Sequence, residues 1–484
     1  MRPARTSRTP RLEPGGLSRR RSWLVVAVIG WTFTVATGLG FYSLPLYLNI
    51  LVANRGFALT TVSYAVSSFF LVSAVVNVPL GRMVRRVQPR WIMLGGSVVS
   101  GLSLLLLGRV DAVWQLYLVF TIFGCGFSAS SYLPGTAVIV ALFDQDRARA
   151  LALALTGGSV GGVVVAPVLT KILDSRGLTE TAPWLGLAFV VLAGLPVVLF
   201  IRGRLAAPVA SHDEAAVGAA GAEAASGAAA AGAEAAEAEA AGAETEAAGA
   251  EAEGAAAGAA APGVSYAVAV RSGAFIGVTV CFAVLMADQV GTQVQIVSIG
   301  SAMGVRNAGI AVSIMASATI VGRLIGAFAL SRLPVVGFSA VMGVLQGASF
   351  AALAVLPGLF GLAAGTVLFG ITIGNLTVLI PLVVVELFGL IDYPRIYAVS
   401  QFGASLGTAG GPAALAALHS GFGSYRAPLL ILAVVSGLAA AAVARLRPPP
   451  LAPSQAPAAV AVLAPEPVPA ADPVPRPDTV PEPE

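Results

Sequence analysis

Long apolar runs separated by short polar or glycine-containing breaks recur along this chain, and crossing a bilayer core of about 30 Å takes about 20 apolar residues per helix. Runs of that length lie at 23–48, 61–81, 91–108, 113–142, 149–172 and 183–201. Six more lie at 272–301, 308–330, 336–355, 358–387, 396–418 and 425–445. The pattern predicts an all-α membrane protein of twelve transmembrane helices, six in a bundle at 23–202 and six in a bundle at 271–446. The pattern lapses in three places. Residues 1–22 read as a basic tail, 203–270 as a linker and 447–484 as a Pro- and Ala-rich tail.

A weak internal repeat relates the two sets of six. Gly81 to Arg86, after the second span, aligns with Ala327 to Arg332, after the eighth. Gly157, Gly158, Gly161 and Gly162 on the fifth span match Gly403, Gly407 and Gly411 on the eleventh. Glycines one turn apart let two backbones approach closely in lipid, where no hydrophobic force holds helices together. Such faces either pack statically or slide between the halves, and both readings stay open.

Composition confirms the solvent. The chain is 57% hydrophobic and only 11% charged, with a mean hydropathy of +0.86, whereas soluble chains carry about 25% charged residues. The net charge of +4 comes from arginine, Lys171 being the single lysine, and in a membrane protein it reports orientation instead of nucleic-acid binding. The N-terminal tail has seven arginines, and Arg82, Arg85, Arg86, Arg90, Arg147, Arg149, Arg202, Arg204, Arg271, Arg332, Arg395, Arg445 and Arg447 fall on the same side. The other side has Arg55, Arg109, Lys171, Arg176, Arg306 and Arg426. The asymmetry predicts a multi-pass protein of the plasma membrane with both termini and the linker in the cytoplasm. Protease added to sealed right-side-out cells is therefore expected to leave 206–263 intact, and external cleavage there would overturn the topology.

Residues 206–263 are almost all Ala, Gly and Glu, with ten acidic residues and no Arg or Lys. Without apolar periodicity this segment predicts a disordered linker, an acidic docking segment being the alternative. Arg19, Arg20 and Arg21 faintly resemble a twin-arginine export signal, but a full-length span follows Trp23, which predicts an uncleaved first helix. Cys125 and Cys281 lie far apart in apolar runs and offer neither a disulfide framework nor metal-ligand spacing. Gly124, Gly126 and Ala129 mimic a dinucleotide fingerprint inside an apolar helix, not after a strand. His212 in the linker and His419 at a helix end make no catalytic set. No enzyme activity, cofactor or metal is expected.

Charged side chains within the spans carry more information, because each costs a few kcal/mol near the bilayer centre unless it faces a partner or a wet cavity. Arg323 lies nine residues before Arg332, which places it about 14 Å deep, near the midplane. Asp288 lies near the middle of the seventh span, and Glu386 near the linker-side end of the tenth, where a structural charge cluster with Arg395 is expected. Around Asp288 the seventh span also carries Gln289, Gln293 and Gln295. Gln289 and Gln293 are one turn apart and share a face, which lines water or substrate or else forms an interhelical hydrogen-bond seam.

Several segments resemble one family: GFYSLP at 40–45, GRMVRRVQPR at 81–90, FDQDRARALALALTGGSVGG at 143–162, GRLIGAFALSR at 322–332 and SLGTAGGPAALAALHSGFGSYRAP at 405–428. Over roughly 23–445 the chain resembles the monocarboxylate transporter and oxalate/formate antiporter branch of the major facilitator superfamily. The resemblance implies the major facilitator fold of two six-helix pseudo-repeats, with Gly81, Arg85, Arg86 and Arg90 in its loop motif. There are departures. Arg85 and Ser331 stand where the motif usually has an acid before its arginine; Leu46 follows Pro45 where monocarboxylate transporters have lysine; and Thr319 stands where they pair an aspartate with the eighth-span arginine. Arg323 is retained, and Asp288 is the carboxylate left near the midplane.

The reading that follows is a secondary carrier, antiporter or symporter, for a small organic anion, in which Arg323 meets a carboxylate and Asp288 couples protons. Tyr42, Gln289, Gln293, Asn375 and Gln401 are candidates for the cavity wall. The expected partners are the anionic substrate, the bilayer and protons, with no nucleic acid, and the carrier is expected to be monomeric. Two alternatives remain: an exporter of drug-like or lipophilic compounds in which Arg323 is structural, and a non-transporting membrane receptor or scaffold.

Overall fold

A computed structural model describes residues 19–143, 147–201, 264–330, 332–389 and 392–447. The expectations for residues 1–18, for most of the linker and for the Pro- and Ala-rich tail fall outside these residues, as does the side chain of Arg85. The described chain is helical throughout, and it is inverted relative to a soluble protein. Val75, Val78, Leu102, Phe360, Val434 and Leu438 are more than half exposed, while Asp288, Arg323 and the glutamines of the seventh span are buried.

Ten helical stretches are long and apolar enough to cross a membrane among the described residues. One of them, Leu153–Phe200, holds two spans, because the path breaks at Gly177 (φ 72°, ψ 171°). That positive φ suits glycine, which has no Cβ to clash, and it shrinks the expected loop between the fifth and sixth spans to one residue. Tyr393–Phe422, the eleventh, is 30 residues long, but its glycines, serines and Arg395 lower its hydropathy. Twelve spans result.

The first span runs from Arg19–Ala36 through a π-helical turn at Thr37–Phe41 into Leu44–Arg55. The second is Leu59–Arg86 and the third Pro89–Leu107. The fourth bends at Ser131 between Val113–Ser130 and Tyr132–Leu142. Residues 264–271, at the end of the expected linker, include a short helix, Tyr266–Arg271, anchored by Val264 N–H donating to the Phe388 carbonyl (2.9 Å) and Tyr266 N–H to Asp392 Oδ2 (2.7 Å). The seventh to tenth spans are Gly273–Ala302, Ile310–Leu330, Val335–Val355 and Gly358–Phe388, and the twelfth is Arg426–Val443.

Small residues decide which spans touch. The first packs on the fifth where Gly157 and Gly161 lie against the backbones of Gly30 and Thr34, and the seventh packs on the eleventh where Gly403, Gly407 and Gly411 lie against Thr279, Ala283 and Ala287. These glycines therefore pack spans together inside each half and do not lie between the halves. Gly162 differs. A Cβ there would stand 2.8 Å from both Tyr42 and Ala316 of the eighth span, so this glycine lies where the two halves meet.

The halves meet through the second and eleventh, fifth and eighth, and first and seventh spans. The side carrying the linker ends is called here the linker side and the opposite one the far side. Hydrogen bonds between the halves include Arg323 to Ser159 near mid-depth, and Ala413 N–H to Ser67 Oγ (3.1 Å) and Asn49 Nδ2 to Ser301 Oγ (3.5 Å) toward the far side. On the far face Arg55 pairs with Asp111 (2.5 Å) and also reaches Thr179 (3.0 Å) and the Gly108 carbonyl, tying the loops of the first half together.

A buried guanidinium between the two halves

The eighth span delivers Arg323, and the tenth span holds it in place. A Cβ on Gly374 would stand 2.9 Å from Arg323 Cγ, and Gly322 and Gly370 allow the same two helices to touch backbone to backbone. Asn375, one residue on, donates its amide to the Gly322 carbonyl (2.9 Å) and the Ile371 carbonyl (2.8 Å), stitching this seam. Held in this way, Arg323 is only 5% exposed, and it extends across to the first half, where one terminal nitrogen donates to Ser159 Oγ at 2.5 Å.

Ser159 also neighbours the hydroxyl of Tyr42, and Tyr132 lies close enough for its side chain to interact with both Tyr42 and Arg323. Tyr42 owes its position to the π-helical turn before it. Such a turn leaves backbone groups out of the ordinary α-helical ladder, and side chains take them up: Ser43 Oγ donates to the Gly38 carbonyl (2.5 Å) and Tyr47 OH to the Leu39 carbonyl (2.8 Å). Tyr42 is 1% exposed and packs beneath Gly162.

The seventh span brings its glutamines to the same depth. Gln289 and Arg323 each lie thirteen residues from the far-side end of their span, about 20 Å along the axis. Gln289 and Gln293 are fully buried, and neither end of either amide has a hydrogen-bond partner among the described residues, as is also true of the Thr292 and Thr408 hydroxyls. A buried polar group left unpaired costs about 1–3 kcal/mol, so these amides favour a polar partner. Gln401 is buried on the eleventh span.

Asp288 faces elsewhere. It accepts a hydrogen bond from Ser436 Oγ (2.8 Å) of the twelfth span, and Ser436 in turn neighbours Gln346 of the ninth, whose amide donates to the Leu285 carbonyl (3.0 Å). The structure thus seats Asp288 inside its own half, apart from the residues that surround Arg323. The expected pairing of Glu386 with Arg395 is not formed among the described residues. Glu386 accepts instead from Val336 N–H (3.1 Å), capping the ninth span, where a carboxylate meets the positive end of the helix dipole. Of the loop-motif residues, Gly81 has open space around it, Arg86 is exposed, Arg90 stacks over Trp91 (5.2 Å) and Arg332 over Phe328 (4.0 Å).

Sequence reasoning missed Ser159, Tyr132, Ser436 and Gln346. Ser159 sits inside the glycine run 157–162, which reads as packing and hides a hydroxyl.

Monocarboxylate transporter 13 of Rattus norvegicus is 26% identical over 138 residues, which is 28% of this chain and 31% of that protein. The fujikurins efflux protein of Gibberella fujikuroi is 28% identical over 144 residues, 27% of this chain and 30% of that protein. The matched regions thus span about a third of the length of these relatives. The structure of a bacterial homolog of the human lysosomal transporter Spinster superposes with a TM-score of 0.58 at 14% identity, covering 90% of this chain and all of that one, and so shares the fold. The Major Facilitator Superfamily profile matches residues 23–334. With its twelve spans in two six-helix halves, the chain belongs to the Major Facilitator Superfamily.

Proposed function

We propose that the chain is a secondary carrier, not an enzyme, that moves a small organic carboxylate by alternately exposing the interface between its halves. The observation that carries this reading is the guanidinium of Arg323, buried near the midplane and joined from the eighth span to Ser159 of the other half. A planar guanidinium fork matches the two oxygens of a carboxylate, and its Ser159, Tyr42 and Tyr132 neighbours offer hydroxyls that orient an anion without cancelling the positive charge. Gln289 and Gln293 complete the wall. Alternating access around a midplane site fits two parallel six-helix repeats, and with the termini in the cytoplasm of the plasma membrane the far side faces outward.

Purified protein screened by thermal shift against small carboxylates tests this. A ligand that binds only the folded state stabilises it by RT ln(1 + [L]/Kd), about 2.7 kcal/mol at a hundredfold excess over Kd. Stabilisation by neutral lipophilic compounds and by no carboxylate would put the exporter reading, which the fujikurins efflux relative favours, ahead.

Coupling to protons is proposed at Asp288. Asp288→Asn keeps the shape that Ser436 contacts but cannot take up and release a proton. The expected result is loss of pH-gradient-driven accumulation with substrate exchange spared, since exchange needs no net proton movement. Full accumulation by the variant would move the coupling to another residue.

A further inference from the structure

Gln295 lies six residues from Gln289 toward the far side, and unlike that residue its amide is fully engaged. Its nitrogen donates to Ser63 Oγ (3.3 Å) on the second span, in the other half, and to the Pro412 carbonyl (3.0 Å) on the eleventh; its oxygen accepts from Tyr425 OH (3.0 Å). The Tyr425 ring is held in turn by His419, with centroids 4.1 Å apart. One turn along the second span from Ser63, Ser67 accepts from the backbone N–H of Ala413. Pro412 lies inside the eleventh span, which runs through it as helix from Tyr393 to Phe422. Proline has no N–H for the helical ladder and its ring crowds the preceding turn, and the next N–H, that of Ala413, donates to Ser67.

We infer that Gln295, with Ser63, Ser67, Tyr425 and the Pro412–Ala413 backbone, forms a far-side latch that holds the two halves shut on that face and must part for the site at Arg323 to open there. The inference rests on the carrier reading. The latch is polar on both halves, so its groups can exchange one another for water when it opens, which an apolar seal cannot do at similar cost. It is also cooperative, because the bonds from Tyr425 and to Pro412, within the second half, aim the same amide at Ser63 across the interface, and loss of the amide removes all three together.

Thiol labelling tests the latch without any substrate, so its outcome is independent of whether the carrier reading of Arg323 holds. Thr408, one turn from Pro412 on the same face of the eleventh span and deeper from the far side, has a buried hydroxyl behind the latch. A Thr408→Cys probe in a Cys125→Ser, Cys281→Ser background, in sealed vesicles of both orientations, is expected to react slowly with a membrane-impermeant maleimide added to the far side. Tyr425→Phe, which removes one bond and little volume, is expected to speed that labelling roughly fivefold, and Gln295→Leu roughly tenfold or more. Far-side labelling unchanged by both variants in folded protein would overturn the latch. A Ser67→Cys, Ala413→Cys pair is expected to form a disulfide that blocks far-side labelling until it is reduced, and labelling that proceeds at the uncrosslinked rate with the disulfide intact would overturn it equally.

Discussion

Arg323→Gln is expected to abolish discrimination between an organic anion and its neutral amide analogue. In the wild type the guanidinium is taken out of water at 5% exposure, its stem lies against Gly374 and one terminal nitrogen donates to Ser159, so its direction is fixed before substrate arrives. Pre-organised donors of this kind lose little freedom on binding. A charge-assisted hydrogen bond contributes about 1.5–3 kcal/mol, so wild type is expected to prefer the anion by roughly ten- to a hundredfold and the glutamine variant to bind both analogues alike. Arg323→Lys keeps the charge but loses the fork, and an intermediate loss of roughly 1–3 kcal/mol follows. Binding of both analogues to purified protein, compared across the three proteins, checks this. Equal anion-to-amide ratios in wild type and Arg323→Gln would make Arg323 a structural residue and the exporter the better reading.

Gly407→Val is expected to prevent the second half from folding stably. A Cβ at Gly407 falls onto the carbonyl of Ala283, with the Ala283 carbonyl carbon at 2.7 Å. Overpacking against side chains typically costs about 1–3 kcal/mol, but here the obstacle is main chain on a neighbouring span and cannot rotate aside. The seventh and eleventh spans would have to separate along the face that unites them, at a cost on the order of 3 kcal/mol or more. Gly410, three residues on, has nothing within 4 Å of its Cβ position, so Gly410→Ala should be neutral or gain about 0.5–1 kcal/mol from helix propensity. Thermal unfolding of the two variants side by side separates the predictions, and a Gly407→Val protein as stable as wild type would refute the contact.

The twelve spans were legible because length in lipid is a strong constraint, and each apolar run had to close its own backbone hydrogen bonds. The depth of Arg323 was legible for the same reason, since rise per residue converts sequence distance into depth. Direction was not. Asp288 and Gln289 are adjacent in sequence but about 100° apart around the helix, and the polar residues of the seventh span, Asp288, Gln289, Thr292, Gln293 and Gln295, spread too far around it to indicate which neighbour each one meets. One turns to Ser436 and the twelfth span; the other stays with its amide unpaired among the described residues. Glu386 was misread for a related reason, as periodicity describes side-chain faces and is blind to a backbone N–H such as that of Val336 waiting to be capped.

The π-helical turn at Thr37–Phe41 acts on the first span as a phase shift. A π turn spends an extra residue on each revolution, so everything beyond Phe41 is rotated by about 100° from where an uninterrupted α-helix would carry it. Tyr42 meets Gly162 and Ser159 only in the shifted phase. Deleting a single residue from 37–41 would let the ladder close as ordinary α-helix and turn the tyrosine out of the interface, though no residue that touches Arg323 had been altered. The first span thus encodes the site in its residue count as well as in its residue types, and alignment gaps within this short stretch carry meaning that substitutions beside it do not.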